Sequence, residues 1–332
     1  MKKSIFLSFI LCLCLVACIP QQAMAQKQSR MEKLLRYLND NDADKWQKNR
    51  EKLDDETKAY YAEDLSLMDV LNDLWNGQSE QAATLYFGCY EKAAQNNFPS
   101  ICEGEKIPLS QIRDKADQSI INLLEASKDK IPFSRALLDS IHATEYPVDS
   151  AMLQRLQNIR EVALLEGMLK APTPIIYQTY VKEYPNGKFI AQVNASENVR
   201  LYQLVKTTPT PANFKAFFED PEMQKYYQDR GPRPYLAEVR TLYDDFLFQR
   251  IDSLKKEGNA TAIRQIIDDY KNTPYLATGA RTHLNDLEYL SEKADFELLK
   301  PAIVNSESLG LLQEFLKTHK YKEFRDQAKN LR

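Results

Sequence analysis

Glycine scarcity constrains this chain more than any other feature: there are nine glycines in 332 residues, against an average usage near ~7 %. Glycine supplies the positive-φ turns of tight β-hairpins and the close backbone approach of phosphate-cradling loops. A chain this poor in it lacks the material for a hairpin-rich sheet and for P-loop or dinucleotide fingerprints. Strand-like alternation is also absent, while Leu, Lys, Glu, Gln and Ala fill long segments at helical spacing. The expected class is all-α.

Breakers then divide the chain. The pattern predicts helices over about 28–39, 43–54, 56–75 and 79–96, with Asn76-Gly77 between the third and fourth. Residues 97–107, holding Pro99 and Gly104, read as irregular. Helical spacing resumes over 109–128, restarts at Pro132, and continues over 149–170. This gives an N-terminal helical region over 26–130 and a second region over 131–332.

The second region repeats. Tyr177, Tyr180 and Val181 form a helical stripe, and Phe189 lies twelve residues after Tyr177. Ile263, Ile266 and Ile267 are followed at the same distance by Tyr275, and Leu312, Phe315 and Leu316 by Phe324. Phe214, Phe217 and Phe218 make the same stripe, but their aromatic, Tyr235, comes twenty-one later, so this unit carries a nine-residue insertion. Four residues beyond each aromatic stands Val193, Val239, Gly279 or Ala328. An i, i+3, i+4 stripe followed by a Pro/Asn/Gly turn describes a helical hairpin. The aromatic is expected to pack back on the first helix of its own unit, and the small or medium residue to let the two helices approach. Such hairpins bury their stripes by stacking on neighbours.

The turns Tyr-Pro-Asn-Gly-Lys-Phe (184–189) and Asn-Thr-Pro-Tyr-Leu-Ala (272–277) resemble the tetratricopeptide-like repeats of exported bacterial proteins. Their Y-P-x-S-x-Y-x-x-x-A pattern is similar to that of outer-membrane assembly lipoproteins and periplasmic envelope coordinators. The resemblance covers about 173–332 and implies an α-solenoid that binds proteins.

Residues 1–25 read as a signal peptide. Lys2 and Lys3 precede an apolar run over 5–18 that is too short to cross a bilayer, and Ala23-Met24-Ala25 supplies small residues for cleavage before Gln26. A second reading stays open: Leu15-Val16-Ala17-Cys18 resembles a lipobox, with Cys18 as the lipidation site. The leader resembles those of the Bacteroides group. Either route predicts an exported protein of the periplasm or outer membrane, touching a membrane only through a lipid anchor. Removing Lys2 and Lys3 takes the formal charge from −3 to −5, and no basic stripe points to nucleic acid. Beyond the leader only Cys89 and Cys102 remain; one disulfide or two free thiols are both open.

No constellation asks for a metal or cofactor. Asp40, Asp42, Asp44 and Glu51 match EF-hand positions, but Lys45 occupies the position that needs glycine; helix capping is the expected role. His142, His283 and His319 lack metal-ligand neighbours, and the pairs Asp244-Asp245 and Asp268-Asp269 read as solvated faces. Asp139-Ser140-Ile141, Asp149-Ser150-Ala151 and Asp252-Ser253-Leu254 look like Bacteroides O-glycosylation acceptors, or are plain surface serines. The insertion over 219–233 concentrates Tyr226, Tyr227, Arg230 and Arg233 between three prolines. Tyr and Arg dominate interface hot spots, so these four are the expected partner-binding residues. The predicted function is a non-enzymatic envelope scaffold or adaptor for a protein partner; the alternative is a lipoprotein binding subunit of a glycan or nutrient uptake system.

Overall fold

A computed structural model describes residues 23–256, 260–276, 284–303 and 309–331. The described residues are helical and contain no strand. The chain divides into two compact units, Met1–Gly167 and Met168–Arg332. The signal peptide reading and Cys18 fall on residues outside those described, apart from 23–25, which begin the first helix.

In the first unit α1 covers 23–39, followed by α2 (Ala43–Glu51), α3 (Asp55–Tyr60), α4 (Ala62–Trp75), α5 (Glu80–Ala94), α6 (Phe98–Gly104), α7 (Leu109–Ala126), α8 (Lys130–His142) and α9 (Ser150–Lys170). The helix expected over 56–75 breaks at Tyr61, whose φ of −105° and ψ of 30° leave the helical region. The stretch expected to be irregular contains α6, because Pro99 stands in its first turn, where a missing N–H costs nothing. Asp42, one of the EF-hand-like acids, caps α2 through the Lys45 N–H at 3.1 Å.

The centre is the α4/α5 pair, and α7 packs on both. Gly77 turns the chain between them: a Cβ there would meet the Asp73 carbonyl oxygen at 2.9 Å. Ser79 then caps α5 through the Ala82 N–H at 3.2 Å. One continuous core gathers Leu71 and Leu74 of α4, Tyr86 and Phe87 of α5, Ile112 and Ile120 of α7, and Leu137 of α8, all nearly inaccessible. A buried side chain of this size stabilises by about 1.5–3 kcal/mol.

The boundary expected near residue 130 lies inside this unit. Tyr146, beyond α8, inserts its ring edge-on between Tyr86, Phe87 and Tyr90, with centroids 5.6, 4.9 and 5.1 Å away. That aromatic contact ties α8 and the segment after it to α5.

The second unit contains α10 (Pro174–Glu183), α11 (Ile190–Thr207), α12 (Pro211–Glu219), α13 (Pro221–Tyr227), α14 (Leu236–Lys256), α15 (Ala260–Asn272), α16 (Leu284–Ala302), α17 (Leu309–Thr318) and α18 (Lys322–Lys329). Three of these starts share one device. Thr173, Thr210 and Asp220 accept from N–H groups of the first turn at 3.3, 3.2 and 2.8 Å, each followed by Pro. Proline's fixed φ suits that next position. Neighbours in sequence pack together: α10 on α11, α11 on α12, α14 on α15, α15 on α16, and α18 on α16 and α17. The stripes Tyr177/Tyr180, Phe214/Phe217, Ile263/Ile266/Ile267 and Leu312/Phe315 are buried. Val193, Val239 and Ala328 are fully buried; Gly279 lies outside the described residues.

The aromatics Tyr235 and Tyr275 do not pack on the first helix of their own expected repeat. Tyr235 stacks on Tyr202 of α11 with centroids 4.4 Å apart, and Tyr275 stacks on Phe218 of α12 at 4.4 Å. Both partners belong to the preceding expected repeat, within the same compact unit. The cause is placement: Tyr235 stands just before α14 with φ +64°, and Tyr275 stands in the turn after α15. Neither is held at the helical angle that would aim it at its own first helix.

Candidate partner-binding groove

The expected insertion over 219–233 folds into the end of α12, α13 and a return loop. Asp220 starts α13, and Met223, fully buried, anchors it. Tyr226 and Tyr227 stand edge-to-face at 5.0 Å. The Arg230 guanidinium lies over the Tyr226 ring, 4.4 Å from its centroid, and its Nη1 donates to the Tyr226 carbonyl at 2.9 Å. This closes a carbonyl that the helix end leaves unpaired. Gly231 then reverses the chain at φ +95°.

Arg233 brings the loop back to the body of the unit. Its Nε donates to Asn198 Oδ1 of α11 at 2.6 Å, and Nη1 donates to the Phe217 carbonyl of α12. Its guanidinium lies 3.9 Å from the Phe217 ring centroid. Burial pulls its pKa below the usual arginine value, against the opposing pull of Asp220. Asn198 Nδ2 also donates to the Pro234 carbonyl at 3.2 Å, so one asparagine holds the returning loop twice.

Between this loop and the turn after α15 lies a groove of about 500 Å³. Phe218, Tyr227, Pro232, Leu236, Pro274 and Tyr275 give it an aromatic and apolar lining. Arg240 of α14 fixes the far wall, its Nε donating to the Tyr275 carbonyl at 3.0 Å. The Tyr275 hydroxyl donates to Glu219; burial, then that carboxylate, raises its pKa.

Of the four residues expected to meet a partner, Tyr227 and Arg233 line the groove, while Tyr226 and Arg230 stack on each other outside the lining. Arg233 is turned inward as a staple, because two acceptors of the neighbouring helices are within its reach. Sequence reading missed Phe218, Arg240 and Tyr275 as one surface. Phe218 and Tyr275 were visible as repeat positions, but 56 residues separate the hydroxyl of Tyr275 from the Glu219 it reaches.

Three acids were also missed or misread. Asp117 of α7 is buried and accepts from the Tyr146 hydroxyl at 2.5 Å, with Tyr86 Oη 3.4 Å beyond. Burial raises its pKa to about 6. Asp64 of α4, fully buried, accepts from Asn96 Nδ2 at 3.0 Å, and burial again raises its pKa to about 6. The Asp244-Asp245 pair is not a solvated face on both sides: Asp244 is buried and takes the Tyr270 hydroxyl, whereas Asp245 is exposed. Adjacent residues on a helix point about 100° apart, so one can face the core.

Cys89 and Cys102 are free thiols, so the disulfide alternative is not the arrangement of this structure. Cys89 Sγ lies 3.5 Å from Ser66 Oγ, while burial pushes the Cys102 thiol up to about 12. His319 Nε2 contacts Asp295 at 3.0 Å and its ring stacks on Phe315; His283 lies outside the described residues. Among the described residues no group of three or more His, Cys, Asp or Glu is placed to hold a metal, and no helix is long and apolar enough to cross a membrane. No protein-family model, curated protein or solved structure matches the chain.

Proposed function

We propose that this protein is an exported, non-enzymatic scaffold of the bacterial cell envelope that binds a protein partner through stacked helical hairpins of tetratricopeptide-like character. The observation that carries the reading is the groove beside α13. It interrupts the repeat register by an insertion, presents aromatic and proline side chains to solvent, and is braced from behind by Arg233 and Asn198. Insertions between repeats map to binding faces, and braced aromatic surfaces bind at low entropic cost. The sequential packing of α10 through α18 supports the stacked-hairpin reading. The leader supports the location, periplasm or outer membrane. Mild crosslinking in native envelopes followed by affinity recovery of the tagged chain is expected to return one partner in stoichiometric amount; recovery of none overturns the reading. The mass of the mature N-terminus distinguishes Gln26 from acylated Cys18.

A glycan-binding subunit is the second reading. It is favoured by Tyr235, which is 40 % exposed while its other face stacks on Tyr202, leaving an aromatic face open for a sugar ring. Retardation in polysaccharide affinity gels that Tyr235→Ala abolishes would favour it over the protein-binding scaffold.

A further inference from the structure

We propose that the groove beside α13 takes an extended acidic peptide segment, with an aromatic or apolar residue against Phe218 and Tyr275 and a neighbouring carboxylate on Arg240. This deepens the scaffold reading and rests on it.

The argument is charge complementarity. Three charged side chains, Glu219, Arg233 and Arg240, line the groove. Glu219 is already matched: the Tyr275 hydroxyl donates to it and Lys215 Nζ lies 3.7 Å away. Arg233 is committed to Asn198 Oδ1 and the Phe217 carbonyl. Arg240 spends only its Nε, on the Tyr275 carbonyl at 3.0 Å, and pairs with no carboxylate among the described residues. Its remaining donors, Nη1 and Nη2, form the outer part of a planar fork suited to a carboxylate. The Nε bond ties that fork to the Tyr275 backbone, so orienting it requires little further ordering.

The lining also argues for an extended occupant. Phe218 and Tyr275 stack on each other at 4.4 Å, with Tyr243 edge-on to Tyr275 at 5.4 Å, so they act as one rigid plate rather than as separate mobile rings. Pro232 and Pro274 line the groove, are exposed and lack backbone N–H groups, and Gln228, also in the lining, is exposed with an amide able to pair with a peptide backbone. A groove of about 500 Å³ holds a few residues, not a folded domain. An alternation of apolar and acidic side chains places one set on the plate and the other toward Arg240.

The test uses the full mature chain and three fluorescein-labelled octapeptides that alternate Phe with Glu, Gln or Lys, read by fluorescence anisotropy. The Glu peptide is expected to bind roughly tenfold or more tightly than the Gln peptide, the scale of one charge-assisted pair, and to weaken with salt. Arg240→Glu is expected to reverse the order, favouring the Lys peptide, which a merely destabilised protein would not do. Arg240→Lys keeps the Glu preference if charge alone acts and reduces it if the planar fork matters; either supports the acidic occupant. Equal binding of the three peptides, binding unaffected by Arg240→Glu, or no binding overturns the proposal. The envelope crosslinking experiment separates the two levels. A partner recovered equally by wild type and Arg240→Glu retains the scaffold and discards this groove; no partner with wild type discards the scaffold itself.

Discussion

Replacing Asp117 by asparagine isolates what the first unit loses by burying a carboxyl. Asp117 is 7 % exposed, and its pKa rises from 3.8 to about 6, chiefly through burial. The fold therefore prefers the protonated acid, which accepts the Tyr146 hydroxyl on one oxygen. A raised carboxyl pKa contributes stability that is complete below about pH 4 and is lost as pH rises through about 6. Each unit of pKa is about 1.4 kcal/mol, so the loss at neutral pH is roughly 3 kcal/mol. Asparagine keeps an oxygen for Tyr146 and cannot ionise. Asp117→Asn should match wild type near pH 4 and exceed it by up to roughly 3 kcal/mol at pH 8. Both tryptophans, Trp46 and Trp75, lie in the first unit, so urea unfolding followed by tryptophan fluorescence from pH 4 to 8 reads that unit alone. Surface carboxylates and the similarly buried Asp64 act equally in both proteins and cancel in the difference. Parallel stability profiles for variant and wild type across this range would refute the reasoning.

Other substitutions separate inward from outward roles. Arg233→Ala should lower stability by about 2–3 kcal/mol, since it leaves the Asn198 and Phe217 acceptors unpaired. Arg230→Ala, at an exposed site, should change it by no more than about 0.5 kcal/mol in the same thermal denaturation series. Val239→Phe overfills a fully buried position where α14 meets its neighbours and should cost about 1–3 kcal/mol, read by chemical denaturation. Alkylation at pH 8 followed by peptide mass mapping should label Cys89 well before Cys102, whose thiolate is suppressed by burial; equal rates would contradict that burial.

How much of this was legible beforehand differs by kind of interaction. The helical class and the buried stripes from Tyr177 to Leu312 follow from neighbours within one or two turns, and so do the Thr-Pro and Asp-Pro helix starts at 173, 210 and 220, which sequence reading did not single out. Their physics is local: a capping oxygen, a fixed φ and a 3.6-residue period need nothing beyond the segment itself. The direction of Arg233, the stacking of Tyr235 on Tyr202 and of Tyr275 on Phe218, the insertion of Tyr146 into the first core and the burial of Asp117 do not follow from any window. Tyr146 meets Asp117 across 29 residues and Arg233 meets Asn198 across 35. Whether a polar or aromatic side chain is buried depends on which distant acceptor or ring the packed helices bring to it. The sequence by itself determined which apolar stripes must leave water; only the tertiary structure decided what each one meets there and which polar side chains go with them, because desolvation and pairing energies are set by partners that local periodicity does not encode.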